Sequence, residues 1–139
     1  MFLGENRHAV DDKGRVILPS QYRDELQGGA VMTKEVDGCI AVWPLEDFKA
    51  RALEMAQMRR TGEQRTRAGV RNFFATAEHR ELDRQGRIAI PQSLRAFAGL
   101  ERDVVISGQF DRIEIWDVER WQQREESGDE VLVEGPSRS

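Results

Sequence analysis

The chain has 139 residues, 39% hydrophobic and 33% charged, with a formal net charge of −4. That is enough for a globular body with its own core, and no stretch approaches the length of a membrane span. One cysteine, Cys39, excludes an intramolecular disulfide and a thiolate metal cluster, and the net acidity argues against indiscriminate binding of polyanions. The charge is uneven. From Asp117 to Ser139 there are seven acids and three arginines, so this tail carries the whole −4, and the other 116 residues hold 18 basic and 18 acidic groups. A local basic face is therefore permitted. Charges at Glu5 and Arg7 argue against a signal peptide.

In chain order, Phe2-Leu3-Gly4 leads into a polar strand expected over 5–10. A turn at Asp12 to Gly14 and a strand from Arg15 to Leu18 follow. Pro19 to Leu26 reads as a short helix with Tyr22 and Leu26 on one face, stopped by Gly28-Gly29. Ala30 to Lys34 and Ile40 to Trp43 read as a hairpin about Asp37-Gly38. Pro44 opens a helix in its first turn. Residues 49–78 are rich in Ala, Arg, Glu, Met and Gln, all good helix formers, and Thr61-Gly62 divides them into two helices. Arg59, Arg60, Arg65, Arg67 and Arg71 make this segment basic, which reads as a solvated, salt-bridged face rather than a nucleic-acid site. Pro91 to Ala98 is helical and capped by Gly99. Val104 to Ser107 and Ile113 to Trp116 are strands about Phe110-Asp111, and Asp117 is an N-cap candidate for a helix through Trp121. Residues 127–139, acidic with Gly, Pro and Ser, read as a disordered tail.

The order of these elements repeats. Asp11-Asp12-Lys13-Gly14-Arg15-Val16-Ile17-Leu18-Pro19 returns 72 residues later as Asp83-Arg84-Gln85-Gly86-Arg87-Ile88-Ala89-Ile90-Pro91, alike at seven of nine positions. Arg23 and Arg95 follow at equal distance. Ile40-Ala41-Val42-Trp43 matches Ile113-Glu114-Ile115-Trp116 at an offset of 73, so the duplication extends beyond the motif. Each residue type in the motif has a job. The glycine supplies the positive φ of a tight turn, and the aspartate three before it accepts bonds from turn amides. The alternating run is a strand with one buried face, and proline ends it. The arginine stands at the exit of the turn.

An enzyme is poorly supported. His8 and His79 are the only histidines and lack ligand-spaced neighbours, no Gly-rich phosphate loop is present, and Cys39 precedes an apolar strand as a small packing residue. Binding accounts better for a repeated arginine. Arginine suits bidentate recognition of guanine O6 and N7, and two-stranded ribbons fit the major groove. Arg15 and Arg87 are the candidate base readers, and Lys13, Arg84, Arg7 and Arg80 the candidate phosphate contacts, with Gly14 and Gly86 letting the backbone approach. The alternative for Arg15 and Arg87 is an ion pair with Asp11 and Asp83. A rival function is an oligomeric protein-interaction module whose turns meet an acidic partner.

The opening Met-Phe-Xaa-Gly, Asp-Xaa-Lys-Gly-Arg…Pro, the second motif continuing through Leu-Arg-Xaa-Xaa-Ala-Gly-Leu, Gly108-Gln109-Phe110 and Glu114-Ile115-Trp116-Asp117 together resemble the MraZ family over residues 1–125. The resemblance implies an α+β fold, mainly β with short helices: two tandem AbrB-like swapped-hairpin β-barrel units, residues 1–48 and 79–126, around a helical segment at 49–78. It implies a cytoplasmic, nucleoid-associated transcriptional regulator with no cofactor and no membrane partner. It further implies ring-shaped homo-oligomers and binding of double-stranded DNA at short direct repeats upstream of its own operon, the division and cell-wall gene cluster. The Asp-Xaa-Xaa-Gly-Arg turns would enter the DNA. The second copy departs at Gln85, where the first has Lys13.

Overall fold

Neither copy of the repeat builds a complete sheet. The computed structural model describes residues 1–135, and in them the chain is α+β with entirely antiparallel strand pairing. The first copy supplies β1 (Glu5–Ala9), β2 (Arg15–Ile17), α1 (Ser20–Arg23), β3 (Ala30–Lys34), β4 (Ile40–Pro44) and α2 (Leu45–Thr61). After α3 (Gln64–Thr76), the second supplies β5 (Glu78–Arg80), β6 (Arg87–Ala89), α4 (Gln92–Ala98), β7 (Asp103–Gly108), β8 (Ile113–Asp117) and α5 (Val118–Glu134). A six-stranded sheet runs β1-β7-β8-β4-β3-β5, and a two-stranded ribbon joins β2 to β6.

The sheet order is its own mirror when the copies are exchanged. β1 leaves its own copy to pair with β7, and β5 leaves its own to pair with β3. Two registers mark the local two-fold axis relating the copies. Val16 faces Ile88 in the ribbon, and Ala41 faces Glu114 where β4 meets β8. Each of those pairs is also a pair of repeat equivalents. The expected boundary at 48/49 falls inside α2 and that at 78/79 inside β5, and the sheet joins strands of both copies.

Alternation along the strands sorts side chains onto two faces. Val104, Ile106, Ile113 and Ile115 point from the sheet toward the ribbon, where Val16, Leu18, Ile88 and Ile90 meet them with Tyr22, Leu26 and Leu94 from the short helices. This is the main core. The other face carries Cys39, Val105 and Trp116 under Val118 and Trp121 of α5. Trp43 Nε1 donates to Thr33 Oγ1 at 2.9 Å and Trp116 Nε1 to Glu114 Oε1 at 3.1 Å, so both buried indoles are satisfied. The Cys39 thiol is wholly buried and its pKa is pushed far up by loss of hydration, which makes it a packing residue rather than a nucleophile.

The hairpin about Asp37-Gly38 forms, with Gly38 at φ +86°, and the helical segment breaks at Gly62 between α2 and α3. The expected helix from Pro19 to Leu26 is four residues of α-helix followed by one 3₁₀ turn, Asp24–Leu26. The tail requires correction. The expectation of disorder from residue 127 does not hold through Glu134, because α5 continues as one 17-residue helix. Asp117 caps it by accepting from the Arg120 amide at 3.2 Å. Its Glu, Gln, Arg and Leu residues favour helix strongly enough to carry Gly128, which costs about 1 kcal/mol in an interior position. Residues 136–139 of that expected tail lie outside the described residues.

Among the described residues, no helix is long and apolar enough to cross a membrane. Because the core is shared between copies, a cavity in one strand should weaken the whole body. Ile106→Ala should lower unfolding free energy by about 2–5 kcal/mol, seen as a lower urea midpoint with one cooperative transition at unchanged slope. Two separated transitions would show that the copies fold independently.

Candidate nucleic-acid interface

The ribbon is short, three residues a side, and its two faces differ. Val16 and Ile88 point inward and are buried. Arg15, Ile17, Arg87 and Ala89 point outward, and the antiparallel register sets Arg15 beside Ala89 and Arg87 beside Ile17. The two arginines therefore lie diagonally on one surface, offset by two residues, or about 7 Å along the strand direction. Ile17, directly beside Arg87 on this face, is 45% exposed.

Each arginine is fixed by the turn that precedes it. Asp11 Oδ1 accepts from the amides of Lys13 and Arg15, each at 2.9 Å, and its Oδ2 accepts from Arg15 Nε at 2.9 Å. Asp83 repeats the arrangement with the amides of Gln85 and Arg87 at 2.9 Å and with Arg87 Nε at 2.7 Å. The backbone closes the same loop in both places, with Gly14 N donating to Asp11 O and Gly86 N to Asp83 O at 3.0 Å. Gly14 and Gly86 sit at φ +80° and +79°, which a side chain adopts only under strain. The ion-pair alternative for Arg15 and Arg87 is thus realised, but it engages Nε alone. Among the described residues, the terminal nitrogens of both make no hydrogen bond, and the two side chains are about a quarter exposed, at 28% and 26%, so each keeps donor capacity beyond its aspartate.

The backbone amides of Arg15 and Arg87, followed by their side chains, hold the Asp11 and Asp83 carboxyls below the usual aspartate range. The carboxylates stay charged and stay bonded, so the guanidinium direction is set before any ligand arrives.

Two further arginines complete the surface, and the sequence reading did not place them. Arg23 Nε donates to Leu18 O and Arg95 Nε to Ile90 O, each at 3.0 Å. Each then reaches across to the other copy's turn. A Cβ on Gly14 would stand 2.8 Å from Arg95 Cζ, and one on Gly86 would collide with the Arg23 guanidinium. Gly14 O accepts from Ile90 N and Gly86 O from Leu18 N, so the turns are locked crosswise by backbone as well. The equal spacing of Arg23 and Arg95 from the two motifs was the available signal. What it lacked was the strand exchange that carries each one to the opposite turn.

The remaining sequence candidates separate. Lys13 and Arg84 are exposed at the turn tips, flanking the ribbon. Arg7 lies opposite Val105, on the sheet face that carries α5, where it borders Trp121 and Glu125. Arg80 lies on the far edge strand, paired with Glu78 at 2.9 Å. Neither joins the outward ribbon surface. Arg59, Arg60, Arg65, Arg67 and Arg71 are exposed along α2 and α3, with Arg59 over the Phe74 ring, while Arg51 is half-buried against Glu35.

Comparison with known proteins bears on this geometry. The family described as "MraZ protein, putative antitoxin-like" matches residues 1–70 and 73–138. The chain belongs to the MraZ family. A Frankia alni protein named transcriptional regulator MraZ is 45% identical over 134 residues, covering 96% of this chain and 93% of its own. Those of Thermobifida fusca and Corynebacterium efficiens, with the same name, are 42% and 46% identical over 134 and 121 residues. The Thermobifida match covers 96% of this chain and 93% of its own length, and the Corynebacterium match 87% and 84%. Family membership spans both motifs and both ribbon strands.

Two outcomes follow from the turn geometry. Gly14→Ala should destabilise the protein by more than about 1 kcal/mol, since it meets both a left-handed backbone and the Arg95 guanidinium; an unchanged melting temperature would contradict this. The aspartate pKa values are depressed on folding, so their contribution is fully present above the ordinary value of 3.8 and is lost as pH falls through the lower native values. In urea titrations the native protein should lose stability on acidification below pH 3.8 more steeply than Asp11→Asn/Asp83→Asn. Parallel curves would remove the carboxylates from the account.

Proposed function

We propose that the chain is a sequence-specific DNA-binding transcriptional regulator that inserts the β2–β6 ribbon into the major groove. The observation that carries this reading is the pair of arginine forks on one outward face, each braced by its own aspartate. A fork presented end-on matches guanine O6 and N7, and a two-stranded ribbon has the right width for the groove. Arg15 and Arg87 read bases in this proposal. Lys13, Arg84, Arg23 and Arg95 meet phosphates and fix the register. Arg7 and Arg80 stand outside the ribbon surface and contribute at most at the margins of a longer duplex.

The relatives' shared name, transcriptional regulator, supports the general reading. The finer reading follows the family resemblance: binding at short direct repeats upstream of the chain's own operon in the division and cell-wall gene cluster, by a homo-oligomeric ring at the nucleoid. Interleaved copies and a self-mirrored sheet order support an AbrB-like swapped-hairpin arrangement. Association of several copies would let an acidic protein bind repeated boxes by avidity while each site makes few phosphate contacts.

A mobility-shift titration tests this with DNA from just upstream of the gene and a scrambled duplex of equal length. The native chain should prefer the upstream DNA, with affinity falling steeply as salt rises. Arg15→Ala or Arg87→Ala should cost about 1–3 kcal/mol per site and relax the preference. Equal binding to both duplexes, or variants that bind like the native protein, would overturn the reading and favour a protein-interaction module.

A further inference from the structure

Helices α2 and α5 are repeat equivalents. Each has 17 residues, and each begins one residue after its copy's last strand. Their surroundings differ. The apolar side of α2 is covered by α3, through Met55, Val70 and Phe73 with Phe48 stacked on Phe73 at 6.3 Å. Among the described residues, the second copy shows no counterpart of α3. From Gln122 to Glu134 every residue of α5 is exposed, a length of about 20 Å. Val131, Leu132 and Val133 are 52%, 77% and 89% exposed. Isolated helical segments of this length are marginal in water and draw their stability from packing an apolar face.

The same molecule holds a surface suited to that face. Beside α3 lies a groove of about 490 Å³ lined by Met55, Met58, Val70 and Phe73 and closed by Val36 and Phe97. The helices around it are basic, with seven basic residues against four acids from Leu45 to Thr76; at the groove itself Arg51 is paired with Glu35 at 3.2 Å, and Lys34 stands beside them. Helix α5 holds six acids against two arginines. The apolar last turn of α5, Val131 to Val133, therefore matches the groove in polarity, and the acidic helix opposes the basic α2–α3 pair in charge.

We propose that the C-terminal half of α5 from one copy of the chain packs into the α2–α3 groove of a second copy, with Val131 and Leu132 inserted and the acidic residues facing the basic rim. The second copy supplies to α5 the helical cover that α3 gives α2. Donor and acceptor surfaces are different, so the contact is heterologous and each chain can both give and receive a helix. This deepens the self-association proposed above and is independent of the DNA contacts.

The test uses the full chain in two variants, Leu132→Cys and Met58→Cys, with a short bismaleimide. Cys39 is buried and its thiol is held protonated, so the introduced thiols react first. A mixture of the variants should yield a cross-linked pair of chains, and neither variant alone should. In parallel, Leu132→Asp should shift sedimentation from an assembly toward a 15.9 kDa monomer while leaving the circular dichroism of the folded body unchanged. An assembly that forms without the mixed product, or that cross-links through Leu132→Cys alone, would overturn this interface and leave self-association standing. A native chain that sediments as a monomer across a concentration series, without DNA present, would overturn both and leave the DNA reading to its own assay.

Discussion

The structure depends on one shared contact, the pairing of β2 with β6 across the local two-fold. Three residues on each side make a marginal ribbon by themselves. It persists because Val16 and Ile88 drop into the core between the short helices and the six-stranded sheet, and because each turn's glycine carbonyl holds the strand exit of the other copy. Without that pairing, the outward face carrying Arg15 and Arg87 does not exist, and Val16 and Ile88 lose their place in the core. The fold and the candidate interface therefore rest on the same few hydrogen bonds.

The braced arginine also resolves an electrostatic conflict. In the proposed DNA-bound arrangement, carboxylates beside the ribbon surface would ordinarily repel phosphate. Here each is saturated by two amides and one guanidinium Nε, and the bond to Nε orients the side chain without occupying the terminal nitrogens. The cost of ordering a long, flexible arginine is met on folding rather than on binding. The stacking of Arg23 and Arg95 on the two turn glycines adds cationic density in the same place, while the chain as a whole remains acidic.

Much of this was legible in the sequence, and the division is physical. Features governed by local chemistry were readable: the positive-φ glycines of the turns, the aspartate that caps them, the Asp37-Gly38 hairpin, the break at Gly62 and the Asp117 cap. Features governed by distant partners were not. Nothing local says that β1 pairs with β7 rather than with β2, and the crosswise placement of Arg23 and Arg95 follows only from that exchange. Arg7 looked equivalent to the turn residues because it is near them in sequence, yet strand alternation directs it to the opposite face of the sheet. The acidic tail was misread because net charge and Gly128 were weighed above the helix-forming residues between Asp117 and Glu134.

The local two-fold is imperfect in one consequential place. A perfectly symmetric ribbon would look the same to DNA after a half-turn, and such a reader has no head or tail on the double helix. The equivalent turn tips, Asp12-Lys13 and Arg84-Gln85, carry different charge, and among the described residues a helix in the position of α3 follows the first copy only. If the ribbon lies in the groove, these differences give it a compass: one orientation places the Asp12-Lys13 tip against a given phosphate, and the reverse places the more cationic Arg84-Gln85 tip there. Copies of one chain arrayed along a duplex would then all point the same way, which is the geometry of repeats written in one direction rather than as palindromes. On that reading, duplication within one chain followed by divergence at a turn tip would convert a surface blind to strand polarity into one that senses it.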